Sequence, residues 1–437
     1  MKLKVSIMTS ILIMQILAFA ATGIAESQSL TESKPSLVAK NKAATPQEAK
    51  KSAEYWFNLA DAEVSKIDPN NQTLYLSIQA ATLADANRFK EAMEVVKRLN
   101  GRERDSTLIV IAMAKASRGD VPGALAIGDM VDDLRGKNVA RRGICKSLIS
   151  KKDYVSAWKV AESVKEDIYD LSRMYEALAK AEALEGDFDK AQTAVDRIGD
   201  PNLKSDILEF VKIIKFLSIN QDLSTTEMNL KDASGILCDY VQFQVQEGNL
   251  KKARKVAVYI SNPNLRVKAF VCIANAQVEN GDKEDAKETC RLIATTPGEA
   301  ETQLEKLSAW LFLADAQIKA GMIHEARDSI KSVMACVQER SSAEGMMNGI
   351  LFDSMGKPAI VALLVQIGDL DQAIKIAHNE DGSVNNLVCK EIGKGIASNN
   401  RWDLLDDWIK SLSKAQERYQ TYMGIASVVE SGQESKK

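Results

Sequence analysis

The chain has 437 residues, of which 45% are hydrophobic and 27% charged, with only eight prolines. That balance belongs to a folded, helix-favouring protein and excludes a wholly disordered one. The 57 Lys and Arg against 60 Asp and Glu leave a formal charge of −3, which argues against a dedicated nucleic-acid binder.

The N-terminus reads as an export signal. Lys2 and Lys4 open it, Val5 to Ala25 carries no charge, and Gly23-Ile24-Ala25 offers small residues before a cut at Glu26. Residues 1–25 are therefore expected to be a signal peptide and the chain to be exported, periplasmic or secreted. The alternative is an uncleaved N-terminal membrane anchor, since the uncharged run is 21 residues long. No later stretch is apolar enough to span a membrane. Residues 26–44 are polar and aperiodic and are expected to be a disordered tether. Thr45-Pro46-Gln47-Glu48 carries a helix-start pattern, and Trp56, Leu59, Ala60 and Val64 make one apolar stripe of the helix that follows.

From there one sentence recurs. LAKAEALEGDFDKA (178–191) is echoed by IAMAKASRGDVPGA (111–124), IANAQVENGDKEDA (273–286) and LADAQIKAGMIHEA (313–326). Each reads as a helix end, a tight turn and a second helix. The turns fall at Asn87, Gly119, Lys152, Gly186, Gly248, Gly281, Gly321, Gly368 and Asn400, at intervals of 32, 33, 34, 62, 33, 40, 47 and 32. The long interval conceals a degenerate unit with its turn near Asn220, and Gly432 is the last mark. A period near 34 is one helical hairpin per repeat.

Positions counted from the turn have separate tasks. Five residues after it stands Ala92, Ala124, Ala157, Ala191, Ala253, Ala286, Ala326 or Ala373. Seven before it stands a small or medium residue such as Ala80, Ala112, Cys145, Ala179, Ala274, Ala314 or Gly393. Small side chains there let two helices meet closely, and a larger one would overpack the contact. Large residues eight before (Ile111, Ile144, Leu178, Ile273) and twelve after (Leu99, Val131, Ile198, Ile260) are expected between neighbouring hairpins, because one hairpin cannot bury its own apolar face. Gly at the mark suits a left-handed helix end, and a following Asp, as in Gly186-Asp187, suits a cap. Insertions are expected near 295–304 and 337–357, and a disordered tail at 433–437.

Six cysteines are scattered without a CxxC. Buried thiols are the favoured reading, and Cys272 with Cys290 is the one pair placed for a disulfide. The two histidines, His324 and His378, are far apart. No metal-ligand spacing, phosphate loop or nucleophile elbow appears. No catalytic residue, cofactor or metal is expected, and the chain is read as not an enzyme.

On these residues the chain resembles a tetratricopeptide-repeat array across about 45–432. The resemblance implies an all-α fold: a right-handed α-solenoid of about ten antiparallel helical hairpins. Departures stand four before the turn, where Gln277, Gln317 and Glu182 replace the family's aromatic, and in the usual lack of a terminal proline. Such arrays hold a protein or peptide partner in a groove lined ten, six and three residues before each turn. Carried over, those positions include Arg142, Lys146, Glu176, Lys180, Asn275, Asp315, Lys390 and Lys394. With Arg173, the 142–180 region is expected to form a basic patch that grips a partner carboxylate. The resemblance thus implies an exported scaffold binding a protein or peptide, with no nucleic acid. The alternatives are an all-helical toroid enzyme acting on polysaccharides and a self-associating envelope component.

Overall fold

The computed structural model describes residues 53–164, 167–219, 233–338, 356–378, 384 and 386–434. The signal, the tether, the expected helix start at Thr45, the degenerate turn near Asn220 and most of the 337–357 insertion lie outside them. The described residues are all-helical, with no strand and a single isolated bridge between His378 and Val384. They fall into two compact units. One spans Ala60–Val333, and the other joins the described residues up to Leu59 to those from Met334 onward.

In the larger unit, hairpins follow one another. Helices α2 (Pro69–Asp85) and α3 (Phe89–Val96) form the first, then α4 (Gly101–Ser117) with α5 (Val121–Asp129) and α6 (Leu134–Ser150) with α7 (Tyr154–Glu162). Next come α8 (Ile168–Glu185) with α9 (Phe188–Asp196), then α10 (Pro201–Ile219), whose following residues are outside the described set. Helices α11 (Ser234–Gln246) and α12 (Leu250–Ala257) pair, as do α13 (Pro263–Glu279) and α14 (Lys283–Leu292). First helices also pack on the first helix of the next hairpin, α2 on α4, α4 on α6, α6 on α8, and α13 on α15 (Gln303–Lys319). The helix α16 (Ile323–Gln338) follows α15 across the Gly321 turn.

All nine turn marks from Asn87 to Asn400 have φ between 53° and 90°, the left-handed region, although three of them (Asn87, Lys152, Asn400) are not glycine. The closing hydrogen bond also repeats. The amide after the mark reaches the carbonyl four residues before it, as in Asp187 N to Glu182 O at 2.9 Å, Asp282 N to Gln277 O at 2.8 Å and Arg401 N to Ile396 O at 2.9 Å. These bonds satisfy carbonyls that a helix end leaves orphaned. Asp120, Asp153, Asp187 and Asp369 then cap the second helix through an amide three residues on.

Packing follows the positional tasks. All eight alanines five after the turn are fully buried, and so are Ile111, Ile144, Leu178, Ile273 and Leu313 eight before it. Gln277 and Gln317, each four residues before its turn, accept buried hydrogen bonds from Thr289 at 2.8 Å and Ser329 at 2.7 Å on the paired helix. The inserted residues 295–304 form a short 3-10 turn, Thr296–Glu299, before Thr302 and Glu305 make a capping box that starts α15. Lys152 at its turn joins Glu185, 3.0 Å away, to Glu247 of a later turn. No disulfide links Cys272 to Cys290. Burial pushes the thiols of Cys145 and Cys290 up to about 12.

In the second unit, α17 (Lys357–Gln366) and α18 (Leu370–Ala377) form a hairpin, and α17, α19 (Asn386–Ser398) and α21 (Ala415–Glu434) pack in succession, with the short α20 (Leu405–Ser411) between the last two. Helix α21 continues unbroken through Gly432 to Glu434. The last mark is therefore no turn, and the expected tail loses its first two residues to this helix. Helix α1 (Ala53–Val64) brings Trp56 against this unit, its ring stacked on Trp402 at 5.9 Å and tilted on Tyr422 at 5.9 Å. No described helix is long and apolar enough to cross a membrane.

Candidate functional site

A cleft of about 460 Å³ opens between α8, α10 and α11. It sits where the regular stacking fails: α10 packs well on α8 and α9 but touches α11 only slightly, unlike α11 on α13. Phe210 and Ile207, both buried, form an apolar floor with Leu203 and Ile236. Arg173, Glu176 and Lys180 line one wall, Asp206 and Glu209 a second, and Asp239 a third.

The spacing on α8 explains the first wall. Residues three and four apart on a helix are neighbours, so Glu176 receives Arg173 at 2.8 Å and Lys180 at 3.3 Å. Burial alone would raise the Glu176 carboxyl, but the two cations outweigh it and hold it below its ordinary value. Arg173 also lies over the Tyr169 ring at 5.4 Å, and Lys180 over the Phe210 ring at 5.4 Å. Both cations of the wall are thus already engaged.

The opposing carboxylates differ. Asp206, Glu209 and Asp239 are solvent-accessible and make no hydrogen bond or ion pair within the described residues. The walls crowd Asp239 even though water reaches it. This desolvation raises its carboxyl above the ordinary value, against the pull of Lys180 and Lys268, with Glu176 adding to the rise. Among the described residues the lining therefore holds four carboxylates and two cations.

The other groove positions do not join this cleft. Arg142 turns to the buried Asp170 on the neighbouring first helix, so its charge is used within the fold. Burial nonetheless leaves the Asp170 carboxyl raised, with Arg142 opposing. Lys146 is exposed and forms no ion pair among the described residues. Asn275 is half-buried with its Oδ1 lacking a partner. Asp315 pairs with Lys319 at 2.7 Å on its own helix. Lys390 and Lys394 lie in the other unit, Lys394 bound to Glu391 at 2.8 Å. Within the expected basic patch over 142–180, Asp170 holds Arg142 and Glu176 holds both Arg173 and Lys180, which leaves Lys146 as the patch's cation without an ion pair among the described residues. Sequence reasoning missed Asp206, Glu209, Phe210 and Asp239. The one signal for them was the interrupted period between Gly186 and Gly248.

A second, smaller cleft of about 250 Å³ in the other unit is lined by His378, Asp371, Asp407 and Trp408. The His378 Nδ1 lies 2.9 Å from Ile374 O, and the ring stands edge-on to Trp408. No group of three metal-ligating side chains occurs among the described residues.

No protein-family model and no curated protein matches this sequence. Among solved structures, the crystal structure of Ton1535 from Thermococcus onnurineus NA1 aligns with 80% of this chain and 98% of that one, at 13% identity and a TM-score of 0.26.

Proposed function

We propose that this chain is an exported, non-enzymatic scaffold whose helical hairpins stack into a right-handed, tetratricopeptide-like superhelix and hold a protein or peptide partner. The observation that carries the reading is the cleft between α8, α10 and α11. Three residues at or beside expected groove positions, Arg173, Glu176 and Lys180, converge there on an apolar floor. A concave surface combining buried apolar side chains with a few fixed polar groups is the usual form of a recognition site. Export rests on the Lys2, Lys4 and Val5–Ala25 pattern.

The test is direct binding. A random-sequence peptide display library is panned against the full chain, and recovered peptides are assayed by fluorescence anisotropy. The reading expects saturable binding that Leu203→Trp, which fills the cleft, weakens while Lys90→Ala at an exposed position of α3 does not. Peptides insensitive to Leu203→Trp would remove the cleft from the function, and no binder at all would remove the scaffold reading.

A further inference from the structure

The cleft's charge is opposite to what the groove positions suggested, and that difference decides what fits. An anionic group entering it would have to share Arg173 and Lys180 with Glu176, which already pairs with them at 2.8 and 3.3 Å. It would also approach Asp206, Glu209 and Asp239. A cationic side chain meets those three carboxylates, none of which holds a hydrogen bond or ion pair among the described residues, although Lys180 and Lys268 already act on Asp239 at longer range. Its methylenes can lie along Phe210, Ile207 and Ile236, the arrangement long basic side chains adopt when the stem is covered and the head is charged-paired.

Resting on the partner-binding reading above, we infer that the cleft between α8, α10 and α11 accepts a lysine or arginine side chain of a polypeptide partner, its stem on Phe210 and its head among Asp206, Glu209 and Asp239. Charge complementarity selects this occupant: among the described lining residues four carboxylates stand against two cations, and both cations already pair with one of the four. The interrupted stacking of α10 on α11 supplies the room. The raised carboxyl of Asp239 fits the same assignment, since a crowded carboxylate gains from a nearby cation.

The experiment uses the peptide library with the full chain and with the double variant Asp239→Asn/Glu209→Gln. Both side chains are exposed and unpaired, so the variant should fold, which a thermal melt verifies. Enrichment of each residue type in the bound pool is read by sequencing. The inference expects Lys and Arg enriched at one position and Asp and Glu depleted. A chosen basic peptide should lose roughly ten- to hundred-fold in affinity with the double variant or when its Lys becomes norleucine. The wild-type affinity should also fall as salt rises. Cleft-dependent peptides without basic enrichment, or basic enrichment equal in the variant, would overturn this inference and leave the partner-binding reading standing. Occupancy by a second copy of the chain, seen as a concentration-dependent mass in light scattering that the double variant abolishes, would also overturn it. Failure of every peptide to depend on Leu203→Trp would overturn this inference and remove the cleft from the function, whereas no binder at all would remove the partner-binding reading too.

Discussion

Gly393 on α19 lies against the backbone of Thr421 on α21. A Cβ built on Gly393 would run into the Thr421 carbonyl oxygen and sit 3.1 Å from its Cα. The approach is reciprocal, because a Cβ on Gly424 would strike the Lys390 carbonyl. Neither obstacle is a side chain that can swing away. The position seven before the turn, alanine in most hairpins, must here be smaller still, because the backbones of α19 and α21 meet directly at this point.

Gly393→Ala should therefore force the two helices apart and destabilise the unit by at least ~1–3 kcal/mol. Gly235→Ala, where nothing lies within 4 Å of the added atom, should be neutral or gain about 0.5–1 kcal/mol from helix propensity. Urea unfolding midpoints for the two variants check the contrast, and equal effects would refute the close-approach account.

The turns give a second prediction. Gly186 has φ 87° with no atom near its missing side chain. Gly186→Ala should thus cost only the conformational penalty, about 1–2 kcal/mol. The loss should appear in the unfolding midpoint without any change of helix content by circular dichroism.

Glu182 carries a pH signature. Its side chain is buried, Oε1 accepts from Trp158 Nε1 at 2.7 Å, and Oε2 has no partner. Burial raises its carboxyl above 4.5, opposed by the Trp158 bond. A raised carboxyl binds its proton more tightly in the folded state, so stability falls as pH climbs from 4.5 through the folded value. Glu182→Gln keeps the acceptor for Trp158 without the charge. It should raise the melting temperature at pH 8, with the gain shrinking toward zero as pH falls below about 4.5. A gain that persists at low pH would point to packing rather than charge.

The buried rungs between paired helices make a fourth. Thr289→Val removes the donor to Gln277 and leaves a buried amide oxygen unsatisfied, costing ~1–3 kcal/mol. The double variant Thr289→Val/Gln277→Leu should cost less than the sum of the single changes, as a double-mutant cycle by chemical denaturation will show.

Much of this architecture was readable because it is local. A left-handed residue at Asn87, Gly119 and the other turns depends on a few neighbours in sequence, and the alanines follow at fixed distance. The same locality made the Glu176 pairing with Arg173 and Lys180 legible from spacing alone, although the residues were counted as free groove positions. Arg142 to Asp170 was not legible, because the partner sits 28 residues away on the next first helix. The cleft was hidden for a stronger reason. It depends on how far α11 stands from α10, which no repeat position specifies, and on residues 206–210 of a unit too degenerate to align. The task of Gln277 and Gln317 was not legible either, because their Thr289 and Ser329 partners lie on the paired helix, twelve residues on in each case.

Trp56 packing on Trp402 has a consequence for how the molecule is made. An ordinary repeat array can gain structure hairpin by hairpin as it leaves the ribosome, since each unit needs only its neighbour. Here the aromatic cluster joins residues 346 positions apart in the chain. Contacts of such long sequence separation form late and slowly. The first helix must therefore wait, its tryptophan uncovered, until synthesis is nearly complete, and that interval is when the nascent chain is most exposed to aggregation or proteolysis.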